Sequence, residues 1–479
     1  MNTHPAPTGK AKYAWSEIDR VEPPKRPVAD RLGDFREAAG DYDEATAREQ
    51  AKRCIQCPDP ACVEACPLNC AIPELLALTA DGQFQEAAEL FFTTHFIPEL
   101  ASHACVGGRV CERDCILAGK SDAVPIRAIT RFLLRYGWKH GLVEPAMAAP
   151  KGRSIAVLGS GICGLVTADA LTRQGYAVTV FDSRLKPGGR MMKGLPGFRV
   201  DRQMVERRVA LLQRRCIQFR MGVTYGAEVK LSDLRRQFDA VFLSFGHAEP
   251  VALKVPGAEL RGVFQALPYL LQNAGTGCVA VAPDQAPKDV RGKLVVVLGA
   301  GDTAMDVVRT AIRGGAADVL CLYRRDEASL LADAEEYANA REEGTRFMFQ
   351  VLPSAVCGNA AGGVTHLRCV RTESTAAEGP GRPAVRPVTG SEFDIPADVV
   401  FVAFGFKAPQ LPGSDDFARL AVNERGHLQV DGEHMTNLPG VFAGGAILRG
   451  TAAMVELVLD ARKAAEAMDH YLSATPASR

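Results

Sequence analysis

Two stretches of this chain repeat one plan: RSIAVLGSGICGLVTADALTRQGYAVTVFD at 153–182 and KLVVVLGAGDTAMDVVRTAIRGGAADVLCLYRR at 293–325. Each runs from an apolar strand through a glycine turn into a helix of small residues and out along a second strand. Such a unit buries its faces only when helices cover a parallel sheet, so two copies predict a duplicated dinucleotide-type α/β fold.

In the first copy, Gly159, Gly161 and Gly164 form GxGxxG between strand and helix. The first glycine permits the tight turn, the second lets backbone approach a pyrophosphate, and the third lets helix and strand pack closely. The diphosphate then rests on the positive helix end. Asp182 ends the second strand, where a carboxylate binds ribose hydroxyls. Gly189 and Arg190, in PGGR at 187–190, belong to a loop of the kind found where an FAD-type fold continues along its dinucleotide.

The second copy carries Gly299, Gly301 and Ala304 as GxGxxA, with Asp302 and Thr303 inside the turn. Its acid position is taken by Tyr323-Arg324-Arg325. Arginines suit a 2′-phosphate through charge-assisted bonds, so Arg324 and Arg325 predict NADPH rather than NADH.

A different texture precedes the first copy. Eight of the fourteen cysteines fall between 54 and 115. Cys54, Cys57, Cys62 and Cys66 are spaced C-x2-C-x4-C-x3-C-P, and Cys105, Cys111 and Cys115 follow as C-x5-C-x3-C. Disulfide frameworks belong to small secreted domains, and structural zinc uses two separated knuckles. Close runs ending in Cys-Pro are the ferredoxin pattern, whose last cysteine ligates the other of two clusters. Seven thiolates in two runs therefore predict two iron-sulfur clusters with crossed ligation, zinc being the competing reading. Cys70 reads as a small buried apolar residue. DEATAREQAKRC, PELLALTADGQFQEAAELFFTTHF and PIRAITRFLLRYGW read as helices around these runs.

With Lys plus Arg and Asp plus Glu both at 56, no net field recruits nucleic acid or an anionic membrane. The N-terminus lacks the apolar core of a secretion signal, no run is long enough to cross a bilayer, and the cytoplasm is the expected compartment. The expected domains are 1–150, helical with two iron-sulfur clusters; 151–285, the first part of an FAD domain; 286–405, an NADPH domain; and 406–479, the rest of the FAD domain.

Assembled in this order, the chain resembles the small (β) subunit of NADPH-dependent glutamate synthase. The same module is similar to the N-terminal part of dihydropyrimidine dehydrogenase and to a subunit of ferredoxin:NADP transhydrogenases. The resemblance runs from about residue 30 to 470 and includes GSGICGL, KPGGRMMKGLPGFRVDRQMVERRVALL, VLGAGDTAMDVVRTAIRGGA, YRRDEASLLADAEEYANAREEG and MTNLPGVFAGGAILRG. It implies an α/β fold with an N-terminal all-α iron-sulfur domain and two Rossmann-like domains, the NADPH domain inserted in the FAD domain. It also implies an electron path from NADPH through FAD and two 4Fe-4S clusters to a partner, the glutamate synthase large subunit, which makes glutamate from glutamine and 2-oxoglutarate. No acid-base residue is required, because stacking the nicotinamide on the flavin suffices.

Carried over by position, Cys54, Cys57, Cys62 and Cys115 hold one cluster, and Cys66, Cys105 and Cys111 the other. The chain departs from the family at five places, one of them the aromatic residue missing from the helix TAAMVELVLDARKAA. Thr130 stands where relatives place a Glu or Gln as the second cluster's fourth ligand, leaving that cluster labile, three-iron or completed by another group such as Cys70. Ala101 replaces a further cysteine, and SFG at 244–246 replaces ATG. In FAGGAILRG, Gly445 is followed by Ala446 where the family carries an aspartate on the flavin's ribityl chain. Losing that bond costs about 1.5–3 kcal/mol, or roughly tenfold to a hundredfold in FAD affinity. Two alternatives follow from these departures: a paralogous NADPH-linked reductase serving another acceptor or ferredoxin, and a non-catalytic scaffold that lost tight FAD binding.

Overall fold

The computed structural model describes residues 15–95, 98, 110–141, 147–246, 249–274, 281–282, 284–375, 384–450 and 453–475. Cys105 and Ala101 lie outside the described residues.

The N-terminal region is helical, as expected. Helix α1 (Glu44–Ala51) is capped by the Asp43 side chain, which accepts from Thr46 N. Two helices, α2 (Ile72–Asp81) and α3 (Phe84–His95), replace the single helical stretch read from sequence, because Gly82 takes φ +82 and turns the chain. Helix α4 (Ile126–His140) buries Ile129, Phe132 and Leu133 against them, with the Phe84 and Phe132 rings edge to face at 5.1 Å.

Two five-stranded parallel sheets follow. The first runs β14-β4-β1-β2-β3, where β1 is Ser154–Leu158, β2 Ala177–Asp182, β3 Gln218–Met221, β4 Ala240–Leu243 and β14 Val441–Ala443. The second runs β5-β13-β6-β7-β8, where β5 is Val263–Gln265, β6 Leu294–Leu298, β7 Asp318–Tyr323, β8 Arg346–Phe349 and β13 Val399–Val402. The inner strands of both sheets are buried on both faces, which explains runs such as VVVL and VVFV. An antiparallel annex of β9 (Val351–Gly358), β10 (Val364–Ser374), β11 (Val385–Pro387) and β12 (Phe393–Pro396) hangs on the second.

The sheets share a layout but recruit their edge strands from opposite directions. Edge strand β14 returns from the C-terminus, whereas β5 and the helix after it (Ala266–Asn273) precede the second glycine copy. The boundary expected at 285/286 therefore falls too late: β5 is hydrogen bonded into the second sheet from residue 263. The crossing is marked by Glu249–Pro250 pairing antiparallel with Phe406–Lys407, which brings the outgoing and returning chain side by side.

The C-terminal helix α10 (Met454–Ala474) packs on α5 (Ile162–Arg173), and its Arg462 donates to Leu68 O (3.2 Å) and Thr94 O (3.4 Å) in the cysteine-bearing domain. One continuous core runs from Leu75 and Ile129 to Val157 and Ala464. Among the described residues no helix is long and apolar enough to cross a membrane.

Candidate functional site

Cys54, Cys57, Cys62 and Cys115 line one cavity, walled by Ile55, Leu76, Leu117, Val124 and Ile126. The loop after α1 presents the first two, a short helix (Ala61–Ala65) the third, and the second cysteine run the last. Burial pushes the Cys54 thiol up to about 12, opposed by the Gln56 backbone N–H and reinforced by Cys62, Cys57 and Cys115. Burial, with Cys115 and Cys57, raises Cys62 to about 11. Burial also raises Cys57, and the thiols of Cys54, Cys57 and Cys62 resist ionising unless a cation joins them. Among the described residues no three His, Cys, Asp or Glu converge closely enough for a single ion, as tetrahedral zinc with its 2.3 Å bonds requires. The cage fits a polynuclear cluster.

Cys66 lies apart from that cavity. A hydrogen bond from the Cys70 thiol, against the upward pull of burial, and the backbone N–H groups of Cys70, Leu68 and Asn69 hold it down to about 6. Cys111 is buried. The Thr130 hydroxyl, on α4, donates back to Arg127 O at 3.0 Å. All twelve described cysteines are free.

The first glycine loop sits at the C-terminal edge of its sheet, where parallel sheets bind ligands. A Cβ on Gly164 would run into the Gly159 carbonyl oxygen, so this glycine is required for the helix to approach the strand. At Gly161 a Cβ meets nothing within 4 Å, which leaves backbone facing open space at the N-terminus of α5. Asp182 Oδ2 accepts from Ser160 N (2.8 Å) and Ser160 Oγ (2.7 Å), and Oδ1 from Arg184 N (2.9 Å). Gly188 N donates to Ser160 O at 3.0 Å, laying Gly189 against Gly161. Arg190 turns instead toward the crossover, its guanidinium 4.2 Å from the Phe406 ring centroid; burial, helped by Arg184, lowers it to about 10. Gly445 and Ala446 close the same edge from β14. Asp460 on α10 accepts from Gly445 N (3.3 Å) and clasps Arg449 at 2.8 and 2.6 Å. Gly159, Gly161, Gly164, Asp182, Gly189, Gly445 and Ala446 thus lie at one edge of the first sheet.

The second loop repeats this architecture. Gly299 has φ +124, and its absent Cβ leaves room for the Ala403 carbonyl; Gly301 faces open space at the start of α8 (Asp302–Arg313). Asp302 Oδ1 accepts from Asp333 N at 2.8 Å, Thr303 is half-buried, and Ala304 is fully buried against the sheet. The two arginines part company. Arg324 is exposed at the end of β7, while Arg325 is buried and engaged, its carbonyl accepting from Gln350 N.

Sequence reasoning missed a buried ionic knot. Arg309 on α8 donates to Glu343 at 2.9 and 2.8 Å and also to Glu336, and Arg313 donates to Glu343 at 2.6 Å. Arg31, from the N-terminal domain, reaches Asn339 (3.2 Å) and Glu342 (2.7 Å). Arg199, from the first nucleotide domain, faces Glu336 at 3.4 Å and Asp306 at 3.8 Å. The only signal was the charge density of FRVDRQ and EEYANAREEG, which names no partners.

Comparison with known proteins bears on these sites together. Residues 31–142 match the family described as dihydropyrimidine dehydrogenase domain II, 4Fe-4S cluster, and residues 153–467 match pyridine nucleotide-disulphide oxidoreductase. The glutamate synthase [NADPH] small chain of Azospirillum brasilense is 38% identical over 457 residues, 94% of each chain. That of Escherichia coli is 36% identical over 477 residues, covering 96% of this chain and 98% of the relative. A solved structure, Mycobacterium tuberculosis FprA in complex with NADPH, superposes with a TM-score of 0.57 at 20% identity, over 67% of this chain and 85% of that one, and shares the fold. By sequence over nearly its whole length, this chain belongs to the family of the glutamate synthase [NADPH] small chain, within the pyridine nucleotide-disulphide oxidoreductases.

Proposed function

We propose that this chain oxidises NADPH and delivers the electrons, through FAD and two 4Fe-4S clusters, to a large catalytic subunit that makes glutamate from glutamine and 2-oxoglutarate. The observation that carries the reading is the four-thiol cage of Cys54, Cys57, Cys62 and Cys115, set in a core continuous with that of the first nucleotide sheet. Bound at these sites, FAD would supply hydride acceptance from NADPH with one-electron release, and the clusters would supply one-electron transfer.

The chain's own residues bind and orient. Gly161 and the N-terminus of α5 receive the FAD pyrophosphate, and Asp182, already fixed by Ser160 and Arg184, presents its carboxylate to the ribose. Gly189 would continue along the dinucleotide and Gly445 and Ala446 would lie beside its ribityl chain, with Arg190 bracing the crossover strand. Gly301, Asp302, Thr303 and Ala304 seat the NADPH pyrophosphate, and Arg324 reads the 2′-phosphate. Cys66, Cys105 and Cys111 serve the second cluster. The free state of every described cysteine fits a reducing, cytoplasmic compartment.

An anaerobic titration with NADPH and then NADH, following flavin and iron-sulfur absorbance with iron and flavin assayed on the same sample, tests this. Bleaching by NADPH well before NADH is expected. Iron without flavin, and indifference to both nucleotides, would replace the reductase with a scaffold. Glutamate formation on adding the large subunit tests the partner.

A further inference from the structure

The cage of Cys54, Cys57, Cys62 and Cys115 has a cation built in beside it. Arg53, the residue before Cys54, is 1% exposed and is among the largest fully buried side chains. Its guanidinium donates to Ile18 O and, at 2.6 Å, to Asp122 O, two residues before Val124, which lines the cage. Both acceptors are neutral carbonyls, and the buried Nε has no hydrogen-bond partner. Among the described residues Arg53 forms no ion pair. Beyond its burial, the charges that reach it are those of Asp122 and Asp19, both exposed and screened by water, of Arg20, and of Cys115 in the cage itself. Arg20 shows the usual arrangement by contrast: it donates to Ala123 O at 3.1 Å and is neutralised by Glu22 at 2.6 Å and Glu112 at 3.0 Å. A guanidinium cannot shed its proton, and burying one without an anion is costly. Next to four cysteines that share a cluster, the cost has a return. Ligand thiolates make the cage anionic, one-electron reduction adds a further negative charge, and a fixed cation in a low-dielectric surrounding favours the reduced state.

We propose that Arg53 sets the reduction potential of the first cluster: its buried, uncompensated charge raises that potential and so favours passage of electrons from the flavin into the cage. Arg53 is not a ligand and acts through its field alone. The proposal rests on the reading of the cage as an iron-sulfur site, and the measurements separate the two.

Anaerobically purified holoprotein is titrated potentiometrically, the reduced cluster being followed by low-temperature EPR and its signal assigned by its loss in Cys57→Ala. Arg53→Gln removes the charge and should lower the midpoint potential by about 59 mV or more, a tenfold shift in the one-electron equilibrium. Arg53→Lys keeps the charge and should retain most of the potential. Lys52→Gln removes an exposed charge next door and should change it little. Ile18→Asp leaves Arg53 in place and supplies the absent carboxylate on a residue that Arg53 already binds, so it should lower the potential even where Arg53→Gln fails to fold. A purely structural Arg53 would lower the thermal midpoint in both of its variants and leave the potential alone. An unshifted potential in Arg53→Gln or, where that variant does not fold, in Ile18→Asp would overturn the assignment, as would an equal drop in Arg53→Lys. Zinc in the cage of the unaltered protein, without iron or sulfide, would instead overturn the cluster reading beneath it.

Discussion

Arg324 and Arg325 are adjacent in sequence and separated by the fold. The strand end leaves Arg324 exposed, while Arg325 is buried where Gln350 and Thr372 close on the backbone. A charge-assisted bond to a phosphate is worth about 1.5–3 kcal/mol. Arg324→Ala should therefore lower kcat/KM for NADPH by about tenfold to a hundredfold and leave NADH nearly unchanged. Arg325→Ala should mainly lower the thermal midpoint, as truncation of a buried side chain does. Steady-state kinetics with both nucleotides decides, and a larger loss of NADPH preference in Arg325→Ala would reverse the roles. Ala446 poses the opposite question, because there a carboxylate is missing. Its loop is already held from below, Asp460 binding Gly445 N and Arg449 together, so the backbone is in place to carry one. Ala446→Asp should tighten FAD by about tenfold or more, read as the dissociation constant from flavin fluorescence. An unchanged constant would mean the ribityl chain runs elsewhere.

The glycine loops show how one element serves both folding and binding. Gly164 belongs to the fold: a Cβ there collides with the Gly159 carbonyl and comes within 2.8 Å of Ser244 Oγ. Gly161 belongs to the ligand: its φ of −70° suits any residue, and a Cβ would enter empty space. Gly164→Ala should cost the apoprotein about 1–3 kcal/mol and several degrees of thermal midpoint. Gly161→Ala should leave the apoprotein midpoint unaltered or slightly raised yet weaken FAD at least tenfold. Calorimetry of the apoproteins with FAD titration separates the two, and parallel behaviour would contradict the division. Such loops are legible from sequence because everything they need is local: strand, turn and helix are consecutive. The helix break at Gly82 was missed although a glycine marked it, since only the left-handed φ distinguishes a break from a tolerated interior glycine. Strand β5 was missed for a different reason. Three residues on a sheet edge carry too short a pattern, and their pairing with β13 spans more than a hundred positions.

At the scale of the whole molecule, the cysteine runs announced a cluster domain, but spacing could not sort the thiols into sets; the fold does that by bringing Cys115 back to Cys54, Cys57 and Cys62. The ionic knot was illegible because its members come from three regions far apart in the chain: Arg31, Arg199, and the helices bearing Arg309 and Glu343. Phe198 sits under it, 4.0 Å from Arg309 and 4.5 Å from Arg313, and stacks on Phe35. The knot thus fastens the NADPH-type domain to both others. Its carboxyls answer pH in opposite directions. Burial alone would raise Glu343, but hydrogen bonds from Arg309 and Arg313 outweigh it and hold the group down to about 2, against 4.5 when unfolded. Its contribution is present above pH 4.5 and lost as pH falls toward 2. Glu343→Gln should therefore destabilise by about 3–5 kcal/mol at neutral pH, since Arg313 loses its anion and Arg309 keeps only Glu336, and the deficit should shrink in acid. Asp306 is the reverse case. Burial raises it to about 7, with Arg199 at 3.8 Å too far for a hydrogen bond to hold it down. A carboxyl whose folded pKa exceeds its unfolded 3.8 contributes fully below that value, and the contribution is lost as pH rises through about 7. Asp306→Asn should consequently raise the urea midpoint at pH 8, and the gain should fade as pH drops toward 4. A variant that gains nothing at pH 8, or gains equally at pH 4, would show that Arg199 compensates the Asp306 charge in full.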